Sequence, residues 1–400
     1  MLSISFQKME DVLEIIERDF RGIYSGALGV SSITGGQTAA NEALAILDIT
    51  GYSNSRSQVF PKSSRGASVL SPYIRHNILT LSDVFQAVRK APYKDREKFQ
   101  DELFWQEYAR HLYARMGVQL FENLRFEANK DQAGDGWNRE MLCINEVVSE
   151  LETDGWLVNQ TRMWLASQWT VRDEKGWIFG QERMYQQLLD GSRAANLLGW
   201  QWTVGAGTGK PYGFSQWQVD KRAPGLCAQC SLVRNCPVAE FPEETTLPHA
   251  LRNERLEVDL DLVATRGPVV PEFNREPEYV LLTIDSLGDS DPSMTAHPEL
   301  PVVFVFNEPA LRKLQLSSQR IAFYLQTLQD LSTRRDLQVY LGDPYEFAKD
   351  HPVATTFAPV PSFKKFKNLA EVYPYPWLRM PHGGSVKSFS SWRKSFPQSE

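Results

Sequence analysis

Residues 190–202 read DGSRAANLLGWQW. An acid, a small-residue turn, an amide and two tryptophans stand within thirteen positions. Apolar periodicity alone requires no such mixture. It suits a site that holds a flat, redox-active ring and moves single electrons, because aromatic rings relay electrons and an amide touches a ring nitrogen without bringing full charge. Around this stretch, residues 1 to about 245 read mainly helical. Ile144, Val147, Val148 and Leu151 share one helical face, and residues 180–198 continue in that style. Near the start, Met9, Val12, Leu13, Ile16 and Phe20 fall at helical spacing, with Glu10, Asp11, Glu14 and Glu17 between them. That pattern is an amphipathic helix rather than a signal peptide, and a cytoplasmic protein is expected.

The texture changes over residues 246–277. Pro248, Pro268, Pro271 and Pro277 punctuate a charged stretch that reads as a linker, with LEVDLDL (256–262) alternating as one short strand. Residues 278–396 carry short apolar runs, YVLLTID, VVFVF, QVYL and VATT. Between the second and third lies SSQRIAFYLQTLQDL, where Ile321, Tyr324, Leu325 and Leu328 share a face and Ser317 or Ser318 can cap. Strand, helix, strand in series predicts a doubly wound parallel sheet. The fold class is therefore a helical unit followed by a small α/β unit.

The chain has 400 residues, enough for two domains. Its formal net charge of -6 argues against wholesale nonspecific nucleic-acid binding, which rests on phosphate neutralisation. No apolar run reaches a membrane-spanning length. The 11 tryptophans exceed what core packing usually needs, since each buried indole N–H requires a partner. Three of the four cysteines, Cys227, Cys230 and Cys236, cluster in CAQCSLVRNCP, and Cys143 stands just before the 144–151 helix. Thiolates at this spacing chelate, and with Cys143 as fourth ligand they suit zinc or an iron–sulfur cluster. GAGTGKP (205–211) only imitates a phosphate loop, because Pro211 stands where Ser or Thr is required.

Several stretches resemble the DNA photolyases and cryptochromes. YSNSR (52–56) and GASVLSPYIR (66–75) are similar to that family's flavin phosphate-binding turn and following helix. DELFWQEYARHL (101–112), GWLVNQTRM (155–163) and, at greatest length, GWIFGQERMYQQLLDGSRAANLLGWQW (176–202) resemble helices around its flavin and substrate. GKPYGFSQWQV followed by CAQC resembles the iron–sulfur branch of the bacterial members, which implies a 4Fe-4S cluster on Cys143, Cys227, Cys230 and Cys236. Residues 279–396 resemble the family's antenna domain, shortened and placed after the helical domain instead of before it, as in a circular permutant.

The resemblance implies FAD and light-driven electron transfer. Tyr52, Arg56, Ser68, Val69, Leu70 and Ser71 match phosphate-side positions. Arg162 and Asp190 match an ion pair across the flavin, Ser192 replaces a second acid, and Asn196 matches the position beside the flavin N5. Trp200 and Trp177 match the first two members of an electron relay, with Trp137, Trp164 and Trp169 as candidates for the third. Glu102, Trp105, Asn159 and Met163 match contacts to a flipped pyrimidine dimer in DNA. Gln106, Gln160 and Phe214 stand at or near positions where the family has DNA-phosphate arginines. Two functions therefore stand side by side. One is a deoxyribodipyrimidine photolyase, a carbon–carbon lyase acting on cyclobutane dimers. The other is a cryptochrome-like photoreceptor with its own signalling partner. A monomer is expected, and the short α/β unit either binds an antenna chromophore or simply caps the helical core.

Overall fold

A computed structural model describes residues 1–5, 11–273 and 275–396. Met9 and Glu10 of the expected first helix lie outside the described residues. Six strands form one sheet: β1 Leu2–Ile4, β2 Tyr279–Leu282, β3 Val302–Asn307, β4 Leu337–Gly342, β5 Val353–Thr356 and β6 Ala370–Tyr373. Their order is β1-β4-β3-β2-β5-β6, parallel throughout except for β1, which runs antiparallel to β4. The chain winds one way from β2 to β4 and the other way through β5 to β6, the doubly wound pattern. All four residues of β5 are buried, as are five of six in β3, which fits a parallel sheet covered on both faces. The crossover helix Ser318–Ser332 starts where expected. Ser317 Oγ accepts from Arg320 N at 3.3 Å, and Ile321, Tyr324, Leu325 and Leu328 are buried.

Three elements differ from the sequence reading. β6 carries Glu371 inside an otherwise apolar strand, and that buried carboxylate is satisfied by the Tyr373 hydroxyl at 2.7 Å. LEVDLDL forms no strand. It folds as a short turn at Glu254–Leu256 and a helix at Leu262–Arg266. The acids explain the difference: Asp259 pairs with buried Arg115 at 3.2 Å, and Asp261 caps the second helix by accepting from Ala264 N at 3.1 Å. Val258 and Leu260 are left exposed. Finally, the amphipathic helix Val12–Asp19 packs on the α/β layer, beside the crossover helix Ser318–Ser332. Ile15, Ile16 and Phe20 are buried there, and Phe20 meets Phe306 edge-on at 4.9 Å.

The helical layers gather around the helix Tyr93–Met116 and the helices Leu142–Asp154, Asn159–Ser167, Trp177–Gln187 and Arg193–Val204. Gly155 ends the Leu142–Asp154 helix at φ +62°, and a Cβ there would lie 2.8 Å from Gln187 O, so glycine is required twice over. Trp156, Trp164, Trp169, Trp177 and Trp200 are buried in one cluster. No helix among the described residues is long and apolar enough to cross a membrane.

Candidate functional site

The turn after the Trp177–Gln187 helix brings Asp190 to Arg162, with Oδ2 2.7 Å from Nη2. Arg162 also donates from Nε to Leu157 O at 3.0 Å, so its fork is fixed before any ligand arrives. The second carboxylate oxygen, Asp190 Oδ1, is buried without a hydrogen-bond partner. A native protein seldom leaves such an atom unpaired, and a ligand donor is the simplest complement. Ser192 serves locally: its hydroxyl accepts from Ala195 N at 3.4 Å and caps the helix Arg193–Val204. Four residues on, buried Asn196 donates from Nδ2 to Gln181 O at 2.8 Å and to Gln181 Oε1 at 3.0 Å. Both amide hydrogens are thereby committed, and Oδ1 is turned away from Gln181 as a free acceptor. Sequence reasoning did not single out Gln181. Its signal is a fully buried amide one helical turn after Trp177.

The first phosphate-side positions, Tyr52 and Arg56, pack along the N-terminal half of the Tyr93–Met116 helix. Asp95 accepts from Gly51 N at 3.0 Å and Ser53 N at 2.8 Å, and those bonds hold its carboxyl below its ordinary value. They also pin the short helix Tyr52–Ser55. Arg56 donates to Ser53 O at 2.6 Å and meets Glu102 Oε1 at 3.3 Å, which Lys98 also meets at 3.1 Å. Tyr52 packs edge-on against Phe99 at 5.0 Å. Ser68 is half-buried and Leu70 fully buried. Val69 stands at φ +57°, rare for a β-branched residue and a form of strain that collects at ligand clamps. Ser71 opens the helix Ser71–Arg75, and its Oγ accepts from Trp156 Nε1 at 2.9 Å.

Trp105 stacks on Phe389 at 4.1 Å with an interplanar angle of 11°. The C-terminal helix Phe389–Lys394 thus lies along the face that carries Glu102 and Trp105, fixed by Trp392 Nε1 to His111 Nδ1 at 2.9 Å and Arg393 to Asp101 at 2.9 Å. Asn159 is exposed and Met163 half-buried, one turn apart on the helix Asn159–Ser167. Gln160 is buried and donates to the Tyr212 hydroxyl at 3.0 Å, and Phe214 is buried beside Trp164. Neither faces outward as a phosphate contact would.

Trp200 and Trp169 flank one glycine: a Cβ at Gly180 would lie 2.3 Å from Trp200 Cη2 and 2.9 Å from Trp169 Cδ1. Trp169 then meets Trp137 at 5.2 Å, and Trp137 is half-buried on the wall of an open cleft. Trp177 is buried and donates to Asn123 Oδ1 at 3.1 Å.

Cys143, Cys227, Cys230 and Cys236 line one pocket with Met141, Val219 and Leu226. Cys143 lies inside the helix Leu142–Asp154, not before it. Burial, then Cys236 and Cys230, pushes its thiol up to about 12. Burial and Asp220 push Cys227 up to about 12 as well. Leu142 N–H points to Cys230 Sγ at 3.5 Å. Among the described residues no group of three or more His, Cys, Asp or Glu is arranged to hold a metal ion.

No family model matches the chain. It is 27% identical over 172 residues to the deoxyribodipyrimidine photo-lyase of Alkalihalophilus pseudofirmus, covering 40% of this chain and 35% of that one. It is 31% identical over 119 residues to the Escherichia coli enzyme of the same name, covering 27% and 25%. It is 24% identical over 230 residues to the cryptochrome DASH of Idiomarina loihiensis, covering 54% and 48%. Among solved structures, a class III photolyase from Agrobacterium tumefaciens gives a TM-score of 0.36 at 24% identity, covering 42% of this chain and 37% of that one. A Synechocystis cryptochrome gives 0.44 at 18%, covering 49% and 46%. The chain spans about a third of the length of the curated photolyases it first matches, 35% and 36%. The names of the curated relatives support a relationship of this chain to the photolyase and cryptochrome family.

Proposed function

We propose that the chain is a light-driven electron-transfer flavoprotein that holds FAD against the turn Asp190–Asn196. The observation that carries this reading is the Arg162–Asp190 pair with its unpartnered Oδ1, next to an asparagine whose amide nitrogen is already occupied. When bound, FAD supplies the light absorption and the one-electron chemistry. Asp190 Oδ1 and Asn196 Oδ1 would accept hydrogen bonds from the ring's N–H groups. Arg56, Tyr52, Ser68 and Ser71, with the strained backbone at Val69 and the following Leu70, are assigned to the diphosphate by resemblance. Trp200, Trp169 and Trp137 form a path from the interior to the cleft, which makes Trp169 the inner link and Trp137 the surface end. Trp177, the second member by resemblance, is buried in the same cluster and bonded to Asn123. Trp169→Phe is expected to slow light-driven reduction of the FAD-loaded protein about tenfold or more, as loss of one link lengthens the path. An unchanged rate removes Trp169 from the relay.

By resemblance the four cysteines are assigned to a 4Fe-4S cluster, and their lining of one pocket supports a ligand shared among them. Thiols raised by burial and by neighbouring anionic groups, Cys236 and Cys230 at Cys143 and Asp220 at Cys227, are the condition that a bound cationic core would relieve. The Leu142 N–H is placed to donate to the Cys230 thiolate. Iron analysis of anaerobically purified protein is expected to find iron without zinc. Cys143→Ser should remove it and leave the FAD.

Repair of cyclobutane dimers is the first function tested: dimer-containing DNA, reduced protein and blue light, with loss of dimers as readout. Glu102, Trp105, Asn159 and Met163 are the residues that resemblance assigns to it. Photoreception without repair is the second reading. It is favoured by the buried Gln160 and Phe214, and by Phe389, which occupies a face of Trp105. Photoreduction without dimer loss selects it.

A further inference from the structure

The helix Trp177–Gln187 ends where the turn carrying Asp190 begins, and the carbonyls of a helix's last turn find no partner inside it. Leu188 N–H closes on Met184 O at 3.1 Å. The next three carbonyls are met from the α/β layer, by the start of the crossover helix Ser318–Ser332. Arg320 Nη1 donates to Tyr185 O at 2.7 Å, Ser317 N–H to Gln186 O at 3.0 Å and Ser317 Oγ to Gln187 O at 3.4 Å. The negative end of one helix thus meets the positive end of another. Arg320 reaches further: its Nη2 donates at 2.7 Å to Gly191 O, the carbonyl of the residue after Asp190, and Arg75 Nε shares that oxygen at 3.1 Å. A Cβ at Gly191 would lie 2.3 Å from Arg320 Nη1, so the guanidinium rests on the backbone of the turn itself.

Arg320 is fully buried and makes no ion pair among the described residues. A buried cation is unfavourable unless its donors are met. Here the carbonyls of Tyr185 and Gly191, the Tyr324 hydroxyl at 2.8 Å and the face of the Tyr185 ring, 4.6 Å from its centroid, meet them. Packing alone does not ask for a guanidinium at this place. An apolar side chain of similar length fills the same space and leaves Tyr185 O without a donor. We propose that Arg320 is a positioning residue, through which the α/β layer sets the 188–192 turn and with it the place of the Asp190 carboxylate. What this means for FAD rests on the function proposed above; the hold on the turn does not. The far end of the same helix offers a comparison. Asp330 accepts from Gln37 N at 2.8 Å and Thr38 N at 3.2 Å, and so caps the helix Gln37–Ala45. Asp330→Ala loosens the crossover helix against the helical layers without touching the turn.

Peptide-resolved hydrogen exchange on the full chain, before FAD is added, reads the turn directly. Its amides are Leu189 N–H, bonded to Gly155 O at 2.8 Å, and Gly191 N–H, bonded to Leu188 O at 3.0 Å. Arg320→Met is expected to speed their exchange about tenfold, the scale of one lost hydrogen bond to a charged group. Asp330→Ala leaves them at the wild-type rate. FAD titration of the same proteins follows. Arg320→Met weakens binding about tenfold, because a displaced Asp190 loses its bond to the ring, and Asp330→Ala does not. If Arg320→Met does not fold, Arg320→Lys decides. One ammonium cannot serve Tyr185 O, Gly191 O and the Tyr324 hydroxyl together, so the same amides must exchange faster. Unchanged exchange of the turn in the folded Arg320 variant overturns the proposal. So does an equal rise in Asp330→Ala, which marks general loosening. Faster exchange with unaltered FAD affinity upholds the hold on the turn and removes the flavin ring from it.

Discussion

Gly180→Ala is expected to destabilise the folded chain by about 3 kcal/mol, the upper end of ordinary overpacking. The new methyl would meet Trp200 Cη2 at 2.3 Å and Trp169 Cδ1 at 2.9 Å, two fully or almost fully buried rings with no room to retreat. Both rings must rotate or the two helices must part, and either change also separates Trp200 from Trp169. Gly199, on the next helix, is the control. A Cβ there meets nothing within 4 Å, so Gly199→Ala should stabilise by about 0.5–1 kcal/mol through lost backbone entropy in the unfolded chain. Urea unfolding of the two variants must give opposite signs. Equal effects would mean that the close approach of the two tryptophans is wrong.

Arg162→Met is the second large change. It leaves the Asp190 carboxylate, whose side chain is 5% exposed, without its cation. Breaking a buried pair from one side costs about 3 kcal/mol, because the remaining charge stays desolvated. The double variant Arg162→Met with Asp190→Leu should regain most of that stability, since no charge is left buried. It should not regain FAD, since the acceptor at Oδ1 is gone. Unfolding measurements and flavin content of the purified variants separate the two effects. Retention of FAD by the double variant would move the ring away from this turn.

The strands of the α/β layer were legible because β-branched apolar runs such as VVFVF have only one place to go, a covered sheet. β6 was not, because Glu371 breaks the run and its partner, the Tyr373 hydroxyl, is visible only after folding. LEVDLDL misled for a related reason: alternation suggests a strand only if the acids face water, and Asp259 and Asp261 instead serve an arginine and a helix N-terminus. Of the candidate site, Arg162 with Asp190 came from family resemblance, since 28 residues separate them and no spacing rule joins such a pair. Gln181 needed the geometry, being a plain core residue until Asn196 is seen against it, and Trp169 was one of three open candidates until Gly180 is seen against it.

β1 gives the molecule a temporal constraint. Leu2 pairs with Leu341 and Ile4 with Val339, so one sheet edge joins two segments that the whole helical region separates in sequence. A ribosome releases residues 337–342 only after the helical layers have emerged, and until then the N-terminal segment has no partner strand. Contacts of such long sequence separation form late and slowly. Deleting residues 1–5 should therefore leave the helical layers able to collapse while β4 presents bare backbone along its outer side. That is the template on which chains join edge to edge, and the shortened protein should be lost to aggregates in proportion to its concentration.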